Sequence, residues 1–434
     1  MLFLPSSHKK KLFVVQTGEK AKSDNSKKLW DYPWKYAESF IIAIEIMIAG
    51  FIVEIATGGR GVTIPGLPVN FILIVIFAAI LLFLHIRFRE SFVIQWISSI
   101  PAAISSIIIY AFLILFLGFL PQNSQETSKI LFYSGLSHIK NSWPFILIQF
   151  YFLTSLGMVT LRRAIPFKTK NLGFLLNHFG LWLTLIAAGL GSADIQTLTI
   201  NLYTNGKMNN IALSQQGEMY KMLFTLKLLN FEVAQYNPKL SVVNLKSHKF
   251  NIGNSKLLPF AVKNLETDLA EWHIKVLNYL PLAKFENGYI HESDSTGSFP
   301  AAYVFAKNRL SSDTVSGWIA SGSYNANSSY LKLKESEVLV LTQPEPKKFS
   351  SKLIVYEDSL TTDTTILEVN KPYTVRGWDI YQAGYDESKG RWSTLSVIEA
   401  VKDPWLPVVY IGILILITGA IYLFWIGKDK KEKI

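Results

Sequence analysis

The sequence predicts a polytopic α-helical membrane protein, with about six transmembrane helices, that carries a large extracytoplasmic, mostly-β domain. Three observations predict it. Half of the 434 residues are hydrophobic and only 17% are charged. The apolar residues gather in long runs, close to the ~20 residues with which an α-helix crosses a hydrocarbon core. Between the fifth and the last run lies a long polar stretch whose short apolar segments often alternate with period two.

The runs are 38–57, 69–87, 93–120, 144–161, 173–191 and 406–426. The third is long and broken by Pro101, so a kinked, tilted or partly interfacial course is expected for it. The organisation that follows is a basic tail at 1–34, a five-helix region at 35–191, an outer domain at 192–405, a last helix at 406–427 and a second basic tail at 428–434. Trp30, Trp34, Trp143, Trp405 and Trp425 flank the runs, where aromatic belts anchor helices.

The net charge of +11 is topological. Lys9, Lys10, Lys11, Lys20, Lys22, Lys27, Lys28 and Lys35 precede the first run; Arg87 and Arg89 follow the second. Arg162, Arg163, Lys168 and Lys170 follow the fourth, and Lys428, Lys430, Lys431 and Lys433 follow the last. The alternate loops, 58–68 and 121–142, hold only Arg60, Lys129 and Lys140. The positive-inside rule then places both termini in the cytoplasm and 192–405 outside. This placement argues against nucleic acid as a partner. The polar first 35 residues lack the compact apolar core of a cleavable signal peptide. There is no cysteine, which removes a disulfide framework, a thiol nucleophile and a Cys-x-x-Cys motif.

In the outer region, Phe224–Leu228, Trp272–Val276, Val338–Leu341, Leu353–Tyr356 and Trp378–Tyr381 read as strands separated by Asn, Gly, Ser and Pro. A sandwich or an open barrel is expected, with exposed loops at 292–298 and 321–329.

His178 is the leading candidate site residue, because an imidazole in a membrane span must find a partner. On a helix it shares a face with Trp182, and small residues follow at Ala187, Ala188, Gly189 and Gly191. A neutral imidazole beside a flat aromatic suits an axial ligand to haem iron, whose apolar macrocycle favours a membrane site. Packing through a hydrogen bond to a neighbouring helix is the alternative. His85 ends the second run at similar depth, leaving an intrachain bis-histidine site open. His138 lies in the external loop 121–142, as a surface histidine or a second haem contact. His248, His273 and His291 lack metal-ligand spacing, and His8 is in the tail. Glu45 is an intramembrane carboxylate of unassigned role, and Glu54 lies near the outer end of the same run. Nine residues apart, they fall on opposite faces. No phosphate-cradling loop, nucleophile elbow or zincin helix is present, so no self-contained catalytic constellation is expected.

Several segments together resemble the ResB family, also called CcsB, the large membrane subunit of the System II cytochrome c synthase. They are Leu176–Leu181 with its glycine-rich exit, Leu223–Phe231, Val369–Pro372, Gly377–Asp386 and Asp403–Gly412. The resemblance covers roughly 140–430. Two departures stand out. The familiar short form has three helices before the outer domain where this chain has five, and the tryptophan-rich loop of the haem-handling partner, ResC or CcsA, is missing.

The resemblance implies a subunit of a haem lyase complex in a bacterial cytoplasmic membrane, with the outer domain periplasmic. It gives His178 the role of one axial ligand to haem b in transit, and assigns the second ligand to a ResC/CcsA-like partner. Haem would pass outward to meet reduced apocytochrome c, whose thiols add to the vinyl groups. The β domain would dock apocytochrome c, the partner or a thioredoxin-like thiol reductant. Two other readings are a haem-free scaffold presenting apocytochrome or the reductant, and a solute transporter. The second lacks inverted repeats and paired broken helices.

Overall fold

The computed structural model describes residues 29–122, 128–247, 249–251, 258–286, 289–358 and 361–431. His8 and most of the basic tail, His248 and residues 432–434 lie outside the described residues. Contacts divide the chain into two compact units, one up to Leu190 and from Pro407 onward, the other Gly191–Leu406.

The first unit contains helices α1 (Tyr36–Ala56), α2 (Val69–Phe88), α3 (Phe92–Ile97), α4 (Ile100–Phe119), α5 (Lys129–Tyr133), α6 (Trp143–Ala164), α7 (Leu172–Gly191) and α8 (Leu406–Lys431). Six of them, α1, α2, α4, α6, α7 and α8, are long and apolar enough to cross a membrane. The long third run divides in two. Ser98 and Ser99 break the helix, and Pro101 falls in the first turn of α4. There the missing N–H of proline is one that no helix would bond, so proline starts a span and kinks none.

Helix α6 is central, with α1, α2, α3 and α4 all packed on it. Lipid offers no hydrophobic drive between helices, so close approach decides which faces meet. α7 and α8 meet through glycine: a Cβ at Gly180 would lie 2.5 Å from the Leu416 nitrogen and 2.7 Å from the Gly412 carbonyl. Asn177 Nδ2 donates to the Leu416 carbonyl in the same seam, at 3.4 Å. The small residues expected to form a seam divide differently. Ala187 is buried and Gly189 admits the Gln149 side chain, whereas Ala188 is exposed.

The flanking tryptophans also divide. Trp30 and Trp425 are exposed, as belt residues are. Trp34 packs edge-on against Trp30, Phe92 and Trp96. Trp405 is buried, and its indole N–H donates to Asp194 at 2.7 Å.

The second unit holds β1 (Gln196–Tyr203), β2 (Asn209–Leu213), β3 (Met219–Gln235), β4 (Leu240–Asn244), β5 (Lys249–Asn251), β6 (Glu266–Leu269), β7 (Trp272–Glu286), β8 (Tyr289–Glu292) and β9 (Phe299–Asn308). It continues with β10 (Thr314–Ala320), β11 (Leu331–Lys334), β12 (Glu337–Leu341), β13 (Pro346–Tyr356), β14 (Thr362–Glu368), β15 (Tyr373–Val375), β16 (Trp378–Tyr385) and β17 (Leu395–Lys402). All five segments read as strands from the sequence lie in strands.

Both expected β architectures occur. An eight-stranded sheet runs β14-β13-β3-β2-β1-β17-β16-β15. Its inward residues, among them Ile200, Phe224, Leu353, Leu367, Ile380 and Ile398, form one core drawn from that sheet alone. A sheet with no partner layer buries an apolar face only by curling, and this one is an open barrel. The β10-β9-β7-β6 sheet and the β11-β12-β4-β5 sheet share a second core around Trp272, Val304 and Leu339, which makes a sandwich. The two loops expected to be exposed are exposed at Glu292, Asp294–Thr296, Tyr324, Asn325, Asn327 and Ser328, while their buried ends lean on each other. Ser298, Ser321 and Gly322 are buried, and Ser323 Oγ donates to the Gly297 carbonyl at 2.7 Å.

Gly412→Val should therefore strain the α7–α8 seam and cost about 1–3 kcal/mol. Thermal unfolding of detergent-solubilised protein, followed by tryptophan fluorescence, measures it. Gly118→Ala, where an added Cβ meets nothing within 4 Å, is the neutral control. Equal midpoints for the two variants would contradict the seam.

Candidate functional site

The start of α7 is tied to the end of α6. Asn171 Nδ2 donates to the Arg163 carbonyl at 3.1 Å, closing the short connection between the two helices. His178 follows six residues into α7, about 9 Å along the helix axis at ~1.5 Å per residue.

The imidazole is half-buried. Its Nδ1 lies 3.0 Å from the carbonyl of Phe174, one turn earlier. A carbonyl only accepts, so Nδ1 carries the proton and donates. This tautomer leaves the Nε2 lone pair free, and Nε2 has no hydrogen-bond partner among the described residues. A ring nitrogen fixed by a backbone carbonyl, with the other nitrogen open, is the arrangement that metal-binding histidines adopt. The Phe174 ring stacks on the imidazole with centroids 3.7 Å apart, and the Arg163 guanidinium stands 5.4 Å from the Phe174 centroid. Sequence reasoning missed this column. The signal was available as an aromatic four residues before the histidine.

Trp182 faces the helix interior. Its ring stacks on Phe77 at 6.1 Å, and its N–H donates to the Leu153 carbonyl of α6 at 3.1 Å. Gly157 opens the space: a Cβ there would lie 2.6 Å from Leu81 Cδ1 and 3.1 Å from Trp182 Nε1. Leu81, Gly157 and Trp182 thus share one layer across α2, α6 and α7. His85 is one turn beyond Leu81, and His178 one turn beyond Trp182. Because α2 and α7 cross the membrane in opposite senses, both turns lead to the same end. The two imidazoles therefore occupy neighbouring positions in depth. His85 is buried, and its Nε2 has no hydrogen-bond partner among the described residues. Beside the shared layer, Phe77, Leu81 and Leu84 of α2, with Phe150, Leu153 and Gly189, line an apolar cavity of about 480 Å³.

The two glutamates of α1 differ completely. Glu54 is fully buried and accepts from the Gly61 N–H at 2.9 Å and the Trp143 N–H at 2.8 Å. His138 Nε2 lies 3.2 Å from the same carboxylate. His138 is thus a partner of Glu54, and the pair fixes two loops at one end of the helices. Glu45 is exposed on the opposite face of α1. In the β unit, His273 pairs with Asp268 at 2.8 Å, and His291 lies 3.8 Å from Glu286. Among the described residues no group of three or more His, Cys, Asp or Glu side chains is placed to hold a metal ion.

Residues 307–400 match the ResB-like family. The match begins at the end of β9 and runs through β10 into β17, so the chain is ResB-like over its distal β region. No curated protein matches the chain.

Glu54→Ala would strand two buried backbone N–H groups and His138. A loss of about 3 kcal/mol is expected, against about 1 kcal/mol for His138→Ala. Limited proteolysis of the 57–68 and 134–142 loops, alongside thermal unfolding, checks the order. Equal effects would show that Glu54 does not organise both loops.

Proposed function

We propose that this chain is the ResB-like membrane subunit of a System II cytochrome c assembly complex, and that His178 gives one axial imidazole to haem in transit. The single observation that carries the ligand role is the His178 tautomer, with Nδ1–H on the Phe174 carbonyl and Nε2 open. The ResB-like match at 307–400 carries the assembly role. Together they support one chain that handles haem in its helices and a protein partner in its β unit.

In this reading the basic ends of α2 and α6 face the cytoplasm, and the β unit is periplasmic. Haem, the cargo, is bound at His178 near the cytoplasmic face. Haem carries anionic propionates, and Arg163 beside Phe174 offers a charge-assisted partner for one of them. The second axial ligand comes from a histidine of a ResC-like partner, which the half-buried position of His178 leaves room to approach. His85, at matching depth in this chain, is the alternative donor. Haem then moves outward to meet apocytochrome c. Each thiol S–H of its Cys-x-x-Cys-His motif adds across a vinyl double bond, the sulfur bonding to carbon and the proton completing the new alkyl group. This chain has no cysteine, so both sulfurs belong to the apocytochrome, and a separate thioredoxin-like protein keeps them reduced.

A second reading is favoured by the position of the match, which lies wholly in the β unit. Here the chain is a haem-free scaffold that presents apocytochrome or the reductant.

Purification with the partner followed by haem spectroscopy separates the two. His178→Ala should lower haem content and cytochrome c maturation more than about tenfold, with partial recovery in exogenous imidazole. His85→Ala should retain haem if the partner supplies the second ligand, and lose it if His85 does. Unchanged haem in His178→Ala would end the ligand role. A complex that never carries haem, while the full chain binds apocytochrome, would establish the scaffold.

A further inference from the structure

Glu45 stands on a face of α1 that no described part of the chain covers. α1 turns Ser39, Ala43, Gly50 and Glu54 inward, against α4 and α6. Its outer stripe holds Ile44, Ile48, Ile52 and Ile55, which are 39% to 62% exposed, and Glu45 and Ala49 lie within that stripe. Glu45 is nine residues from Tyr36 and eleven from Ala56. At ~1.5 Å per residue it is about midway through the span. It makes no hydrogen bond or ion pair among the described residues. Several other polar side chains of the spans do: Glu54 accepts from two backbone N–H groups, and Asn70 and Asn177 donate to the Leu190 and Leu416 carbonyls.

A carboxylate facing hydrocarbon is costly, and membrane proteins almost always turn such groups toward a bundle interior. Ionised, the carboxylate only accepts hydrogen bonds, so what covers it must donate. A second copy of this chain offers neutral donors from its spans, such as Thr154 and His178, but no counter-charge at this depth. Its spans carry no lysine or arginine away from their ends, where Arg87, Arg162 and Arg163 stand. Ala49, one turn beyond Glu45, lets another backbone approach closely. One polar group in a branched apolar seam also fixes register, as it does in coiled coils.

We propose that the Ile44–Ile55 face of α1 docks a transmembrane helix of a different chain, and that this helix carries a lysine or arginine at the depth of Glu45. The pair sets both the register and the identity of the neighbour. The interface is independent of the haem assignment, so a negative result for His178→Ala leaves it standing.

The test places a photo-crosslinking residue at Ile48 in the full-length protein in its native membrane. Adducts are identified by mass spectrometry, with Glu45 intact and as Glu45→Leu or Glu45→Gln. The expected adduct joins a different polytopic chain through a span containing a lysine or arginine. Its yield should fall by about tenfold or more in Glu45→Leu, as when one member of a desolvated charge pair is removed. Charge exchange, Glu45→Lys with the partner's base changed to Glu, should restore it. Glu45 is exposed and makes no hydrogen bond or ion pair among the described residues, so protein levels should hold; if Glu45→Leu fails to accumulate, Glu45→Gln gives the comparison. An adduct of twice the chain's mass, a captured span without a basic residue, a yield indifferent to both variants, or no adduct would each overturn the proposal.

Discussion

The pairing of the first β-strand with the last governs the architecture of the outer domain. β1 and β17 run antiparallel through eight consecutive pairs, from Gln196↔Lys402 to Tyr203↔Leu395. The chain therefore enters and leaves the domain side by side, five residues after α7 ends and four before α8 begins. A slip of one residue would turn Leu198, Ile200 and Leu202 out of the barrel core, so burial holds the register. The exits are tied as well. Trp405 donates to Asp194 and fits against Gly191, while Asp403 accepts from the Trp405 and Leu406 N–H groups. Roughly 200 residues of β structure can fold between two spans because their ends meet at one edge.

How much of this was legible follows from what each feature depends on. Spans depend on length and apolarity, which are local, and all six were readable. Pro101 was legible as a break, but whether it ended or kinked a helix depended on Ser98 and Ser99 releasing the backbone before it. The strands declared themselves by alternation. Their assembly into a barrel beside a sandwich did not, because that choice rests on which long-range edges pair. At the candidate site, the sequence identified His178 and placed Trp182 on its face. Trp182 in fact fills the space beside Gly157, and Phe174 is the ring against His178. Both aromatics lie four residues from the histidine. Only the position of α6 separates them, and no window of α7 contains it.

The membrane unit shows a consistent rule for polar groups. In hydrocarbon a donor or acceptor without a partner is expensive, so most are spent on backbone or on one another. Glu54 gathers loops, Asn70 and Asn177 reach carbonyls of other helices, and Ser155 Oγ donates to the Ile97 carbonyl at 2.7 Å. Among the described residues Ser99 Oγ and Trp143 Nε1, at the starts of two spans, go without a partner, and so do three ionisable groups: the open Nε2 of His178, the buried Nε2 of His85 and the carboxylate of Glu45. The two imidazoles lie at one depth and the carboxylate faces away from the bundle, so they serve different contacts.

The half-burial of His178 bears on what kind of site it makes. A resident cofactor is normally enclosed, with most of its surface covered by a preformed pocket. His178 instead is half-buried, with one nitrogen fixed by its own helix and the other without a hydrogen-bond partner among the described residues, so in the proposed role this chain would wall the ligand only in part. An incomplete wall suits a ligand that must be released, because removing the second donor or shifting a neighbouring helix weakens binding without unfolding anything. A site closed by another chain also couples occupancy to assembly. In the proposed role, haem would be held firmly only when the partner is docked, and free haem would find no stable place on the unassembled subunit.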